Sequence, residues 1–407
     1  MVNKALIFFI VLVLYLLTYS GLIKWAFFGV DPTLILAFVS LVFIPVVYGK
    51  LIKIITSHSK WVFLWFILLH LILFASMIYT ISDRYYLEKA GKILLNLYIF
   101  LLGLTVFQYK NAIRYLLLIN KIFLTLTIAL LLVNYAVNQL DILRFRENEG
   151  SLYPEYMSVS YYLAIGILLL IPEKKSIFNY GLLISGLFIM LVLAAKGPIF
   201  FLLISYLFYL VIGKSIFSKE NFKKIMYTLV FLIVVVALIW TAPFLKTFKS
   251  RLFFLSGTEL DESSLQRVMF LEKSLVIIKD EPILGVGLGG FGKAFTGFDQ
   301  RLSAHNLIFE VFTEAGLMAF ICLIGLVFVA RRYLIRGIAK IRNTDMEQYG
   351  KMFFALMILI LLQSLVASYL EDSRISYFWL AVAIAFFIVT PKNSPVKQIN
   401  LTGSEVK

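Results

Sequence analysis

Three groups that can do chemistry lie close together in one part of this chain. Arg267 offers a planar, permanently charged fork suited to phosphate oxygens. His305 offers an imidazole, the side chain best placed to take up a proton near pH 7. Between them runs Pro282-Ile283-Leu284-Gly285-Val286-Gly287-Leu288-Gly289-Gly290-Phe291-Gly292, a turn with few bulky side chains. Asn306 follows the histidine, and Glu310 and Glu314 come next at helical spacing in an apolar run, where carboxylates are costly and face a protein interior or a wet cavity. Each feature also has a plainer reading. Arg267 can be a snorkelling surface arginine, the glycine turn a re-entrant bend, and Glu314, just ahead of Gly316, a helix-packing device. Gly285, Gly287 and Gly290 match the spacing of a dinucleotide fingerprint, but that fingerprint works only where a strand turns into a helix inside a βαβ unit, which the surrounding sequence does not offer. The turn instead lets backbone approach a bulky headgroup or another helix.

The elements that position these residues follow from composition. Of the 407 residues, 61% are hydrophobic and 15% charged, too greasy to fold as a soluble core and typical of an all-α polytopic membrane protein. Apolar runs fall at 5–23, 33–49, 61–81, 93–108, 112–137, 156–171, 177–195, 198–213, 225–242, 305–330, 351–370 and 375–390. They predict about twelve transmembrane helices, with Lys121 inside one of them. With the N-terminus in the cytoplasm, the Lys/Arg clusters at 50–60, 110–114, 174–175, 214–224 and 331–351 all fall on the cytoplasmic side, as the charge bias of short loops requires. The long segment 243–304 then faces outward. The net charge of +15 describes a surface held to anionic headgroups and does not argue for nucleic acid.

This reading divides the chain into a membrane bundle (1–242), an extracytoplasmic loop (243–304), further spans (305–390) and a cytoplasmic tail (391–407). Ser263 or Ser264 is the expected N-cap of a loop helix over 264–280, whose Leu265, Val268, Met269, Leu275 and Val276 recur at helical spacing until Glu281-Pro282, so that it lies along the membrane surface. The apolar run that begins near Met1 and extends through Ile23 lacks a small-x-small cleavage site and reads as a retained first span. Cys322, the single cysteine, builds no disulfide or metal site, and His58, His70 and His305 are too scattered to propose zinc. His70, mid-helix, reads as a packing histidine.

The ordered set Arg267, Pro282-x-x-Gly285-x-Gly287, His305-Asn306 and Glu314-x-Gly316 resembles the O-antigen ligase and polymerase family, the Wzy/WaaL-type integral-membrane glycosyltransferases. The dense part of the resemblance covers about 265–330. Before it, the likeness rests on hydropathy and on Arg146, Gly150 and Pro154 ahead of a span. The resemblance implies a GT-C-like, metal-independent enzyme that needs no cofactor and works at the outer face of the bacterial inner membrane. Its donor would be a glycan on undecaprenyl pyrophosphate and its acceptor a second glycan or lipid A-core. Other polysaccharide-assembly proteins are possible partners. The family's loop arginine falls on Arg267 and its histidine on His305. A second arginine, in a Ser-Arg-Gly setting, falls on Ala195-Lys196-Gly197, where Lys196 keeps the charge and loses the bidentate fork.

On this resemblance Arg267 and Lys196 neutralise the departing pyrophosphate and His305 orients or deprotonates the acceptor hydroxyl. The loop 138–155, with Arg144, Arg146 and Tyr153, and the adjoining Tyr156 would cradle sugars. We read a repeat-unit polymerase first, with a ligase to lipid A-core as the alternative and a non-enzymatic transporter or scaffold as the second. A transporter places ionisable or helix-breaking residues at the midplane of several helices, whereas this sequence puts its chemistry at the rim.

Overall fold

A computed structural model describes residues 3–20, 32–44, 59–109, 111–137, 156–173, 176–193, 195–212, 223, 226, 262–366 and 370–390. The regular secondary structure among them is all helical. In chain order the helices are α1 (Lys4–Thr18), α2 (Thr33–Leu41), α3 (Lys60–Ala75, continued by a 3-10 turn Ser76–Ile78), α4 (Tyr85–Val106), α5 (Ala112–Val137), α6 (Tyr156–Leu170), α7 (Ile177–Val192) and α8 (Lys196–Val211). Then come α9 (Glu262–Asp280), α10 (Phe291–Thr296), α11 (Leu307–Lys340), α12 (Glu347–Ser364), a 3-10 turn Leu370–Asp372, and α13 (Arg374–Val389). Every apolar run read from the sequence overlaps one of them except 225–242, of which only Met226 is described; 243–261, 138–155 and the tail lie outside the described residues.

Four of these helices are long and apolar enough to cross a membrane: Lys60–Ile78, Tyr85–Val106, Ala112–Val133 and Leu307–Lys340. Five shorter apolar helices of 10–17 residues accompany them. Large apolar side chains point away from the bundle along α3 (Trp61, Leu64, Leu71) and α11 (Ile321, Ile324, Phe328). Water would make such a belt a liability, whereas lipid is as apolar as the side chains themselves. Helix pairing then depends on close packing. On α4, a Cβ added at Gly103 would stand 3.0 Å from the Ala381 Cβ of α13, a small-residue contact that brings the two helices together.

Two of the element boundaries that differ from the sequence reading bear on the site. The run expected to start at 93 begins at Tyr85, which moves Lys89 from a loop into a buried turn of α4. The run expected to end near 330 continues to Lys340, so Arg331, Arg332 and Arg336 ride on α11 instead of in a loop. Charged residues at a helix end lower the local hydropathy without breaking backbone hydrogen bonds, and hydropathy alone therefore trims such ends.

One end of the bundle carries His305. Helix α11 leaves it, α12 returns to it, and the Asn306 side-chain amide donates to Leu365 O at 2.8 Å, tying the two ends together. At the far end Tyr209 Oη donates to Gln348 Oε1 at 2.7 Å. Lys121, read as mid-span, reaches Glu173 at 3.0 Å and passes over the Phe178 ring. Its long stem thus carries the charge to a partner. His70 is satisfied on both ring nitrogens, by Phe66 O and Tyr377 Oη, each at 2.7 Å, and packs in the core as expected.

Candidate active site

The site is assembled from three elements: α9, the glycine turn and the entrance of α11. Helix α9 (Glu262–Asp280) already includes Ser263 and Ser264, ahead of the start expected from the sequence. The buried stripe of α9 is Phe270, Ser274 and Ile277. Leu265, Val268, Met269, Leu275 and Val276, which carry the helical periodicity, point outward. The side that faces the protein is aromatic: Phe270 lies 5.2 Å from the Phe295 ring centroid, 6.2 Å from that of Phe291 and 5.1 Å from that of His305. Arg267 sits one turn before Phe270, exposed on the flank of this stripe, and its charge is felt at His305.

His305 stands just outside α11 with φ 52, a conformation uncommon for a residue with a side chain. The local structure imposes it. Asn306 is the N-cap of α11, accepting from the amides of Ile308 (2.9 Å) and Phe309 (3.3 Å), while the His305 amide turns back to Ser303 Oγ at 3.2 Å. The chain reverses sharply between these two bonds and presents the imidazole to α9. Burial, and after it the positive charge of Arg267, hold the His305 pKa below the ordinary histidine value. At neutral pH the ring is uncharged and able to accept a proton.

The glycine turn approaches a helix. Inside α11, Gly316 adopts φ 70, ψ −168 and breaks the helical ladder. In an unbroken helix Leu317 N would bond to Thr313 O. Here Thr313 O accepts from Val286 N at 2.8 Å, and Leu317 N donates to Pro282 O at 3.0 Å, so the turn satisfies both orphaned groups. The fit leaves no room for side chains: a Cβ at Gly285 would stand 2.5 Å from Thr313 O, and one at Gly316 would overlap the Ile283 carbonyl. Pro282-x-x-Gly285-x-Gly287 and Glu314-x-Gly316 are thus two halves of one joint. On its other side the joint meets the 79–86 connection, where Ile81 N donates to Val286 O at 3.1 Å and Thr80 Oγ1 to Leu288 O at 2.8 Å.

That connection is held by a carboxylate that the sequence reading passed over. Asp299 accepts from Ser82 Oγ (2.7 Å) and from the amides of Asp83 (3.0 Å), Arg84 (2.7 Å) and Tyr85 (3.1 Å), capping α4 from a distant part of the chain. Burial works to raise its pKa, but the hydroxyl and the three amides outweigh it and hold the carboxyl below its usual range. Lys293 reaches Asp83 at 2.7 Å beside it. Replacing Asp299 with alanine is expected to speed hydrogen exchange at the 83–85 amides about tenfold, the scale of one charge-assisted hydrogen bond, with little change in α12. Because this carboxyl's pKa is depressed on folding, its contribution is present above the ordinary carboxylate pKa and disappears as pH falls through the lowered value.

Glu310 and Glu314 are shielded from solvent. Both are fully buried against Lys89 of α4, with Lys89 Nζ paired to Glu310 and 2.9 Å from Glu314. Lys89 was hidden by the boundary error at α4, although its spacing four before Ile93, a buried position, was the available signal. Lys196 opens α8. Because Tyr209 pins the other end of that helix at the far side of the bundle, Lys196 lies at the His305 end, on a helix packed against α12 and α6. Tyr156 opens α6, but its side chain is outside the described residues, as are Arg144, Arg146 and Tyr153. Among the described residues no group of three His, Cys, Asp or Glu could hold a metal ion.

Residues 180–324 match the profile of the Wzy_C family, described as O-antigen ligase. This stretch, about a third of the chain, is similar to the Wzy_C domain. No curated protein matches the chain. The Wzy_C stretch runs from α7 past the kink of α11 and includes Lys196, Arg267, the glycine joint, His305 and both buried glutamates.

Proposed function

We propose that this protein is an integral-membrane glycosyltransferase that moves a glycan from undecaprenyl pyrophosphate to an acceptor hydroxyl at the outer face of the bacterial inner membrane. The observation that carries this reading is the His305 ring packed on Phe270 of α9, one turn from Arg267 and under the influence of its charge, inside the stretch similar to Wzy_C. The twelve-span topology with both termini cytoplasmic, and the assignment of 243–304 as the catalytic loop, belong to the same proposal.

The reaction needs a proton acceptor and a leaving-group stabiliser. His305 takes the acceptor's hydroxyl proton on its neutral ring. The freed oxygen attacks the anomeric carbon, and the bond to the pyrophosphate oxygen breaks with its electron pair leaving on the phosphate. A single displacement inverts the anomeric centre. Arg267 and Lys196 neutralise the released pyrophosphate without a metal, because fixed charges are worth more where water is excluded. Arg144, Arg146, Tyr153 and Tyr156 are proposed to hold sugars. The donor would reach the site from the bilayer, and other polysaccharide-assembly proteins would supply or receive its chains.

The test is release of undecaprenyl pyrophosphate from a lipid-linked glycan by the purified protein in lipid nanodiscs. A transporter or scaffold releases none. Arg267→Ala is expected to lower transfer about 10²-fold, as loss of one preorganised donor does. Arg267→Lys, which keeps the charge and loses the fork, should fall between that variant and the wild type. We take the polymerase reading ahead of the ligase. Glycans of a deletion strain decide between them: a single capped repeat indicates a polymerase, and long unattached polymer indicates a ligase.

A further inference from the structure

We propose that Lys89 is a positioning residue for the transfer step, acting through Glu310 and Glu314 on the short helical segment that His305 leads into. This inference rests on the glycosyltransferase reading above. The segment from Leu307 to Ala315 is set apart from the rest of α11 by the break at Gly316, so the ladder of the long helix does not hold it in place. Three contacts do. The glycine turn takes its C-terminal carbonyl, at Thr313. The connection after α12 takes its N-cap, through Asn306 and Leu365 O. Lys89 takes its buried face, where Glu310 and Glu314, one turn apart, both pair with a single ammonium group.

The third contact also reaches further. The second oxygen of Glu310 accepts from Leu370 N at 3.0 Å, so the carboxylate joins α4, α11 and the turn ahead of α13 in one cluster. Tyr377 and, behind it, His70 border the cluster from α13 and α3. Lys89, Glu310 and Glu314 are each fully excluded from solvent. Such a cluster is a poor way to gain stability, since apolar residues of similar volume generally do as well. It is a good way to specify one arrangement of a segment that has been cut loose from its helix. A rotation or slide of Leu307–Ala315 would leave a carboxylate buried away from the Lys89 ammonium group that pairs with both. The imidazole at its entrance is therefore held in one place relative to Arg267.

Lys89→Met alone would strand two carboxylates and could unfold the protein, so the deciding variant is Lys89→Met/Glu310→Gln/Glu314→Gln, which removes the charges together and keeps volume. In nanodiscs this variant is expected to keep its elution profile and a KM for donor within about twofold of wild type. Its kcat should fall at least about 50-fold, a split that marks loss of geometry in the reaction step. Hydrogen exchange should rise in 305–315 and not in α8. Unchanged kcat in the folded triple variant overturns the proposal. If that variant does not fold, Glu314→Gln decides, since it leaves a balanced Lys89–Glu310 pair: a kcat reduced about tenfold supports positioning, and wild-type kcat overturns it. Absence of undecaprenyl pyrophosphate release by the wild type would instead sink the enzymatic reading, which keeps the two failures distinct.

Discussion

Removing the imidazole at position 305 is expected to lower glycan transfer by about 10²–10⁴-fold, the range for loss of a general base, with the protein still folded and membrane-inserted. His305→Ala is the direct test, but the backbone at this position has φ 52, which alanine tolerates poorly. His305→Asn is the sharper variant, because asparagine visits that region readily and cannot act as a base near pH 7. Normal glycan assembly in cells carrying either variant would remove the assignment. The pH profile supplies an independent check. The form that accepts a proton is the neutral one, and burial followed by Arg267 lowers the pKa of His305. Activity should therefore be retained above the folded pKa and lost below it, with the acid limb of kcat/KM lying under the ordinary histidine value. In Arg267→Gln the residual activity should show that limb moved to higher pH, since one of the two lowering influences is gone. The free-enzyme profile is the one to read, because bound pyrophosphate would push the imidazole pKa the other way. A limb that does not move would mean that the guanidinium and the imidazole do not share a site.

The second large effect is structural. Gly316→Ala places a Cβ where the Ile283 carbonyl now stands and puts an L side chain at φ 70. The conformation, essentially restricted to glycine, alone costs about 1–3 kcal/mol. Backbone cannot rotate away as a side chain can, so the turn must withdraw, and the bonds Val286 N to Thr313 O and Leu317 N to Pro282 O go with it. Each leaves a buried amide or carbonyl unsatisfied, at roughly 1–3 kcal/mol apiece. The sum, several kcal/mol, puts this change among the most damaging single substitutions. The expected result is little folded protein in the membrane, or a Tm lowered by more than about 10 °C in detergent. Gly181→Ala on α7 is the control: its Cβ meets nothing within 4 Å, and alanine is the better helix former, so stability should hold or rise slightly. Equal behaviour of the two variants would contradict the joint.

Particular residues show how much was legible beforehand. Arg267 and His305 could be singled out through their order with the glycine motif and not from residue type alone, since the sequence holds twelve arginines and three histidines. The glycine pattern announced a close approach, and its proline and β-free context ruled out a nucleotide loop. What it approaches could not be read. That depended on Gly316 breaking a helix some thirty residues downstream and leaving two backbone groups to be satisfied. Lys89 was missed for a related reason. Hydropathy averages over a window, so a lysine in the first turns of a helix pulls the boundary past itself and looks like a loop residue. Asp299 carried no local signal, because the amides it caps belong to a helix more than two hundred residues earlier.

The amino-acid order by itself determined the helical character of this protein, its apolar exterior and the chemistry available at one end of it. Those properties follow from composition and short-range periodicity, which are local quantities. Only the tertiary structure decided that His305 packs on Phe270, one turn from Arg267, that two glycine motifs form one joint, and that Glu310 and Glu314 answer to a lysine on another helix. Each of these is a pairing of groups far apart in the chain, fixed by the need to leave no backbone group or charge unsatisfied once it is buried.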